Sequence, residues 1–255
     1  MVRDIFIQRI NENSVLIRFN PVIINEPYIL GINIYRRKES DNNYIKINQN
    51  PVTVDFFVDY NNFFELNESY YYKLTYIDRN GNESSLDEAE EYAVYYIKEQ
   101  FEDIIQDIST NVVFRTQWAM DSFGEKGYVF IRKINGNRCP RCWDENAKLP
   151  TDSKCSVCFG TGIEGGYEKH EIRFTIGEFG RKMRETEYGF DQVTAIRGYS
   201  GVEVMLHPFD ILVRQDGRRY VITNVNPILL RNMLIQQVFD VNFLQQENVG
   251  WNLKI

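Results

Sequence analysis

The chain has 255 residues, of which 43% are hydrophobic and 25% are charged, and its formal net charge at pH 7 is -7. This length is enough for two domains that each bury a core, and the composition is that of a folded soluble protein. No segment approaches the roughly 18 apolar residues that a membrane-spanning helix needs, and the acidic balance argues against a protein dedicated to neutralising nucleic-acid phosphates.

Residues 1–92 show short runs of alternating apolar and polar side chains separated by turn residues, which is the pattern of a β-sandwich. In one of these runs the alternation places Tyr70, Tyr72, Leu74 and Tyr76 on one face of a strand. The first domain is therefore predicted to be a seven-stranded sandwich. Its strands are expected at 5–10, 14–20, 31–38, 44–47, 52–59, 70–78 and 90–95.

Two features near Tyr70 carry a family resemblance. Phe64 lies six residues before Tyr70, which matches the apolar-to-tyrosine step of a tyrosine corner. The turn at 78–84 reads Asp-Arg-Asn-Gly-Asn-Glu-Ser, in which Gly81 supplies a positive φ. On these residues the domain resembles a fibronectin type III module. The resemblance implies an immunoglobulin-like sandwich that acts as a spacer, decoration or docking unit, and the fold by itself assigns no activity.

The pattern changes after residue 92, where we place the start of a second domain, 93–255. Between Ile97 and Ile108 the apolar residues recur at helical spacing, and an amphipathic helix is predicted over about 96–119. A strand at 127–133 then leads to the first cysteines.

All four cysteines, Cys139, Cys142, Cys155 and Cys158, form two Cys-x-x-Cys pairs within residues 136–167. Two such pairs can present four thiolates to one tetrahedral ion, so the segment is predicted to be a zinc knuckle that binds one structural Zn2+ per chain. Because cysteine would fill every position, the ion has no open site for water or substrate. Two disulfides or free thiols are the alternatives. The chain begins Met-Val-Arg-Asp, without an apolar run suited to export, which favours reduced thiols.

The residues beside each cysteine pair predict how the site is enclosed. Trp143 follows Cys142 directly and Phe159 follows Cys158, so both rings are expected to shield the metal from water. Glycines after the second pair free the backbone to turn back and to donate N–H groups to the sulfurs.

The rest of the chain returns to strand patterns and is predicted to form a small antiparallel β-barrel over 168–245, followed by a tail at 246–255. Two alternating runs joined at Asp216-Gly217 indicate a hairpin. The segment 224–237 is either the last hairpin of the barrel or a strand exchanged with a neighbouring subunit. Strands are expected at 170–176, 202–206, 210–215, 219–226 and 232–244.

The order of helix, strand, two cysteine pairs, glycine-rich turn and β-rich tail resembles a family of tailed-bacteriophage virion proteins. The spacing of Asp210, Val213, Gly217, Arg219 and Tyr220 is similar to that in the barrels of head–tail adaptor and stopper proteins. The matching residues around the cysteines are Gly136, Cys139, Pro140, Cys142, Trp143, Asp144, Pro150, Cys155, Cys158, Phe159, Gly160, Thr161, Gly162, Gly165, Gly166 and Tyr167.

This resemblance implies a structural protein of the virion neck, acting as a head–tail connector, adaptor or completion subunit. It implies a ring oligomer of this chain that contacts other neck, portal or tail proteins and lies near packaged DNA without specific binding. The expected location is the neck or tail region of the virion, with assembly in the host cytoplasm. Neither a membrane nor a small-molecule substrate is expected as a partner.

No residue constellation typical of an active site stands out. His170 and His207 have no neighbouring nucleophile in sequence, so no catalytic residue is predicted and the chain is expected not to be an enzyme. One alternative is a zinc-ribbon phage protein that binds nucleic acid, and a second is a tail-associated binding protein. The nucleic-acid alternative depends on the basic residues Arg132, Lys133, Arg138, Arg141, Lys148 and Lys154.

Overall fold

A computed structural model describes residues 5–11, 14–19, 29–60, 68–95, 104–186, 189–230 and 233–254. The fold is mainly β, as predicted, and the described residues contain one α-helix. The chain divides into two compact units, one made of Met1–Phe114 with Lys133–Glu168 and the other of Arg115–Arg132 with Lys169–Ile255. The cysteine segment thus belongs to the same unit as the N-terminal strands, while the predicted domain boundary at residue 92 stays a prediction.

Seven N-terminal strands form two antiparallel sheets, which we call the N-terminal sheets. One sheet has the order β1-β2-β5 and the other β4-β3-β6-β7. Asp59 accepts hydrogen bonds from Arg36 at 2.6 Å and from Tyr72 at 2.9 Å, and these bonds link the two sheets. The strands are β1 (Phe6–Asn11), β2 (Ser14–Arg18), β3 (Ile29–Lys38), β4 (Ile45–Lys46), β5 (Phe56–Tyr60), β6 (Ser69–Asp78) and β7 (Glu91–Tyr95).

The alternation predicted for β6 is present, because Tyr70, Tyr72 and Leu74 are buried on one face. The strand expected at 52–59 is wrong in its first half: β5 begins at Phe56, and Val52 makes only an isolated bridge to Ile32. The Phe64 half of the proposed tyrosine corner lies outside the described residues.

The helix α1 covers Ile104–Phe123. Residues 96–103 of the predicted helix lie outside the described residues, and the predicted end at 119 is four residues too early. The helix stops where Gly124 donates its N–H to the Met120 carbonyl at 2.8 Å. A Cβ at Gly124 would lie 2.4 Å from that oxygen, so only glycine fits at this end of the helix.

Six strands close into a barrel in the order β11-β12-β15-β14-β13-β8, which confirms the barrel prediction at the level of fold class. The predicted limits of 168–245 are wrong because the barrel includes β8, which precedes the cysteine segment and pairs with β13. The strands are β8 (Glu125–Arg132), β11 (Tyr167–Thr186), β12 (Gly189–Ser200), β13 (Ile211–Arg214), β14 (Arg219–Leu230) and β15 (Met233–Phe243). Two short strands, β9 (Trp143–Asp144) and β10 (Leu149–Pro150), pair within the cysteine segment.

In the barrel region, the sequence analysis missed one strand, and one predicted strand is wrong. Strand β12 was not predicted, and residues 202–206, expected to be a strand, form a buried loop instead. The side chain of Gln237 holds this loop: it accepts the Leu206 N–H at 2.9 Å and donates to the Gly201 and Val204 carbonyls at 3.0 and 2.7 Å. Alternation in this loop therefore reflects burial without strand pairing.

The last two strands, β14 and β15, pair with each other along their length, which is the hairpin alternative for 224–237. After β15, a 3-10 turn at Val249–Asn252 packs against the barrel. The buried guanidinium of Arg219 donates to the Gly250 and Leu253 carbonyls at 2.7 and 2.8 Å. The tail predicted at 246–255 is therefore attached to the barrel through Arg219 over its described part.

Candidate metal centre

The four cysteine side chains converge on one point. All four Sγ atoms lie within 4.8 Å of one another, all four residues are at most 4% exposed, and all are free thiols. Two close contacts join one pair to the other: Cys139 Sγ lies 3.7 Å from Cys155 Sγ, and Cys142 Sγ lies 3.3 Å from Cys158 Sγ. The predicted ligand set is thus brought together as one buried cluster without disulfides.

This cluster has the size of a tetrahedral thiolate site. With metal–sulfur bonds of about 2.3 Å, the sulfurs of a regular tetrahedron lie about 3.8 Å apart, which falls within the observed range. A disulfide would need sulfurs about 2 Å apart. The donor set therefore fits an ion that prefers soft sulfur ligands in tetrahedral geometry.

Backbone hydrogen bonds shape each cysteine pair into a turn. The Cys139 carbonyl accepts the Trp143 N–H at 3.2 Å, and the Cys155 carbonyl accepts the Phe159 N–H at 2.8 Å. The Cys158 carbonyl accepts both the N–H and the hydroxyl of Thr161, at 3.0 and 2.8 Å. These turns fix the direction of the sulfurs through the backbone, so the four ligands are oriented by local structure.

Threonine hydroxyls were not predicted as part of the site. Thr151 donates its N–H and hydroxyl to the Cys142 carbonyl at 2.7 and 3.0 Å, as Thr161 does for Cys158. In each pair, the backbone carbonyl of the second cysteine therefore accepts two hydrogen bonds from a threonine. Their sequence signal was weak, since Thr161 appears only as the polar residue between two glycines and Thr151 follows Pro150.

The thiols differ in their electrostatic surroundings. Hydrogen bonding from the backbone N–H of Cys158, and then from that of Val157, lowers the pKa of the Cys155 thiol to about 7. Burial raises the pKa of the Cys142 and Cys158 thiols. Buried thiols of raised pKa need a nearby cation to be thiolates at neutral pH, and a bound metal supplies that charge.

Two glycines allow the second turn to close on the first. Gly162 has φ 81°, and a Cβ there would lie 3.1 Å from the Trp143 ring. Gly166 has φ 61°, and a Cβ there would lie 2.4 Å from the Cys158 carbonyl oxygen. A side chain at either position would strain the backbone. At Gly166 it would also overlap the Cys158 carbonyl, and at Gly162 it would require a small shift of the Trp143 ring.

Only one of the two expected shielding rings packs on the cysteines. Trp143 and Val157 lie against the cluster, and Arg138 stacks over Trp143 with its guanidinium carbon 4.2 Å from the ring centroid. Phe159 instead makes an edge contact with Tyr167, with ring centroids 6.5 Å apart. The assignment of Phe159 to the shield was wrong, because Val157 and Trp143 are the side chains that pack against the cysteines.

Several residues of the predicted basic cluster have local partners. The Arg141 guanidinium donates to Ser156 at 3.2 Å, Lys148 pairs with Glu145 at 3.2 Å, and Lys133 donates to the Glu164 carbonyl at 3.4 Å. These three cations therefore have partners within or beside the cysteine segment.

The second histidine and an aspartate that was not singled out as a site residue meet in the barrel. His207 Nδ1 lies 3.7 Å from Asp210 Oδ2, and the same carboxylate accepts N–H groups from His207 and Arg132 at 2.7 and 2.8 Å. Asp210 has no exposed side-chain surface. Asp210 therefore links β8 to the residues just before β13. This structural role could not be predicted from the sequence pattern.

No known protein family and no curated protein matches the chain. Among solved structures, one described as a myokine structure aligns with a TM-score of 0.31 and 14% identity, over 38% of this chain and 96% of that chain. Likeness at this level supports no conclusion about function. Within the described residues, no helix is both long and apolar enough to cross a membrane.

Proposed function

We propose that the four-cysteine cluster binds one structural Zn2+. Zinc suits four thiolates in tetrahedral geometry and has no redox chemistry of its own. The support comes from burial, sulfur spacing and the absence of disulfides among the four cysteines. With four cysteine ligands the ion has no free position for a reactant, so its role is to stabilise the segment 136–167, and no turnover is assigned to it.

We further propose that the chain is a structural protein of a tailed-bacteriophage virion, an oligomeric neck subunit of the connector, adaptor or completion type. The observation that carries this proposal is the combination of a closed six-stranded barrel with a four-cysteine knuckle inserted between its first and second strands. That arrangement agrees with the motif order on which the resemblance rests.

The N-terminal sheets fit the proposed fibronectin type III-like module. Their strand orders, β1-β2-β5 and β4-β3-β6-β7, split seven strands between two antiparallel sheets as that type of sandwich does. The turn predicted after the sixth strand is present, with Gly81 at φ 83° and the Asp78 carboxylate accepting the N–H groups of Asn80 and Asn82. In the proposed virion the module is a decoration or docking unit.

Association with other copies and with neighbouring neck, portal or tail proteins is supported by the end of the β14–β15 hairpin. Three consecutive apolar side chains, Ile228, Leu229 and Leu230, are exposed by 42%, 51% and 36%. A contiguous exposed apolar segment is typical of a surface that is covered on assembly. The virion neck would provide such cover.

The proposal is tested by locating the chain in particles of the virus that would encode it. Electron microscopy of intact particles, with antibody against the N-terminal sheets, should place the label as a ring at the head–tail junction. Purified protein should show no salt-dependent affinity for DNA, which separates this function from the nucleic-acid alternative. Particles without label, or micromolar DNA binding with a steep salt slope, would overturn it.

A further inference from the structure

The two ends of the cysteine segment meet at Thr53, in the connection that precedes β5. The Thr53 carbonyl accepts the N–H groups of Ile134 and Asn135 at 3.1 and 3.2 Å, just before the segment begins. The Thr53 hydroxyl donates to Glu168 Oε2 at 2.9 Å, just after the segment ends. One threonine thus contacts both ends of a loop of more than thirty residues.

The Thr53 side of this contact is held without help from the cysteines. Val52 exchanges both backbone hydrogen bonds with Ile32 of β3, at 3.0 and 2.8 Å. The buried side chain of Asn48 accepts the Ile34 N–H at 2.7 Å and donates to the Ile32 carbonyl at 3.1 Å. The carbonyl of Thr53 is therefore presented from a connection fixed to a central strand.

The other side of the contact belongs to the cysteine segment and to the residues that flank it. The ends of the segment are brought together by bonds from Lys133 N to Gly166 O at 3.0 Å and from Cys139 N to Gly162 O at 2.9 Å. The buried cluster of the segment consists of the four cysteines, with Trp143 and Val157 packed against it. So small an apolar cluster does not stabilise thirty residues alone, and metal–sulfur bonds supply what burial does not.

We propose that metal binding by the four cysteines attaches the segment to Thr53, in the connection before β5, so that metal loss releases this contact locally. Strands β8 and β11 are neighbours in the closed barrel, so the two ends stay close without the metal. Metal loss instead frees the backbone that follows Lys133, so that the Ile134 and Asn135 N–H groups are no longer held on the Thr53 carbonyl. The bonds between Val52 and Ile32 stay, because they do not involve the segment. The inference rests on the metal site and is independent of the role in a virion.

The test is amide hydrogen exchange by NMR on the full chain, loaded with zinc and after removal of zinc by a chelator. Chelation should accelerate exchange of the Ile134 and Asn135 amides by tenfold or more, the equivalent of about 1.4 kcal/mol. Exchange of the Val52 amide and of the barrel amides Leu212 and Val241 should be unchanged. Unchanged exchange at Ile134 and Asn135 would overturn the proposal, as would equal acceleration throughout the barrel.

A substitution of Thr53 tests the contact between Thr53 and the cysteine segment separately from metal binding. Thr53→Val keeps the carbonyl and the side-chain shape but removes the hydroxyl bond to Glu168. In the zinc-loaded protein it should accelerate exchange of the Ile134 and Asn135 amides about fivefold. After chelation it should have no further effect, since the contact is already lost. Equal acceleration in both states would show that the contact does not depend on metal, and would overturn the proposal.

Discussion

Both carboxylate oxygens of Glu125 accept hydrogen bonds from the guanidinium of Arg214, each at 2.8 Å, so that the start of β8 is joined to the end of β13. Hydrogen bonding to Glu125 raises the pKa of Arg214. The pair adds a side-chain link to two paired strands that are separated in sequence by the whole cysteine segment. A two-pronged pair of this kind fixes strand register as well as adding stability.

Substitution of Glu125 by Gln should therefore lower the free energy of unfolding by about 1 kcal/mol, since the pair is partly exposed and solvent weakens it. The loss should shrink at high salt. Urea titrations of the full chain measure both effects. Glu171→Gln, on an exposed position of β11, is the matched control and should change stability little. Equal losses for the two variants would contradict the assigned role of the pair.

The tail should depend on Arg219. Its buried guanidinium donates to the Gly250 and Leu253 carbonyls, and its guanidinium carbon lies 5.4 Å from the Trp251 ring centroid. Lysine cannot reach both carbonyls with one planar group, so Arg219→Lys should cost about 2 kcal/mol and release the tail. Limited proteolysis and Trp251 fluorescence report the release. Arg218→Lys, at an exposed neighbouring position, should leave the tail protected, and the account fails if both variants behave alike.

Two glycines with nearly equal φ separate the cost of backbone strain from the cost of a close side-chain contact. Gly162 and Gly217 have φ 81° and 83°, but a Cβ at Gly217 meets nothing within 4 Å, whereas at Gly162 it meets the Trp143 ring at 3.1 Å. Gly217→Ala should cost about 1 kcal/mol from the backbone alone. Gly162→Ala should cost more and should also weaken zinc retention against a competing chelator. Equal zinc retention in the two variants would show that contact with Trp143 does not support the site.

Burial raises the pKa of the Asp210 carboxyl, while the hydrogen bond and charge of His207 oppose this shift. The folded state then holds the proton more tightly than the unfolded state. The stability contributed by this group is fully present below its unfolded pKa of about 4 and is lost as pH rises through the folded pKa. Asp210→Asn should therefore lose less stability than the natural protein between pH 4 and pH 7.

The comparison is best made with His207→Gln in both proteins, so that the imidazole does not titrate. Urea titrations at one-unit pH steps give the difference in unfolding free energy. A difference that stays constant from pH 4 to pH 7 would contradict the raised pKa of Asp210.

The parts that could be predicted from sequence are those whose signal is local. The four cysteines come together because two Cys-x-x-Cys turns determine sulfur direction within a few residues, and the alternation of Tyr70, Tyr72 and Leu74 reflects one buried face. Both signals need no knowledge of distant partners.

The errors arose where distant residues decide the structure. Residues 202–206 alternate like a strand, but Gln237, more than thirty positions later, binds their backbone as a loop. Strand β8 joins the barrel through pairs such as Phe130 with Ile211, about eighty residues apart. Strand β12 has glycine and polar residues that obscure its pattern, and its pairing with β11 and β15 defines it.

Metal analysis of the purified chain tests the central claim most directly. Protein prepared under reducing conditions should contain one zinc per chain by plasma mass spectrometry, and Cys155→Ser should lose most of it, whereas Ser156→Ala should retain it. Zinc removal should unfold the segment 136–167 and leave the barrel folded. A metal-free protein with four reactive thiols or two disulfides, and with that segment equally folded, would contradict the account.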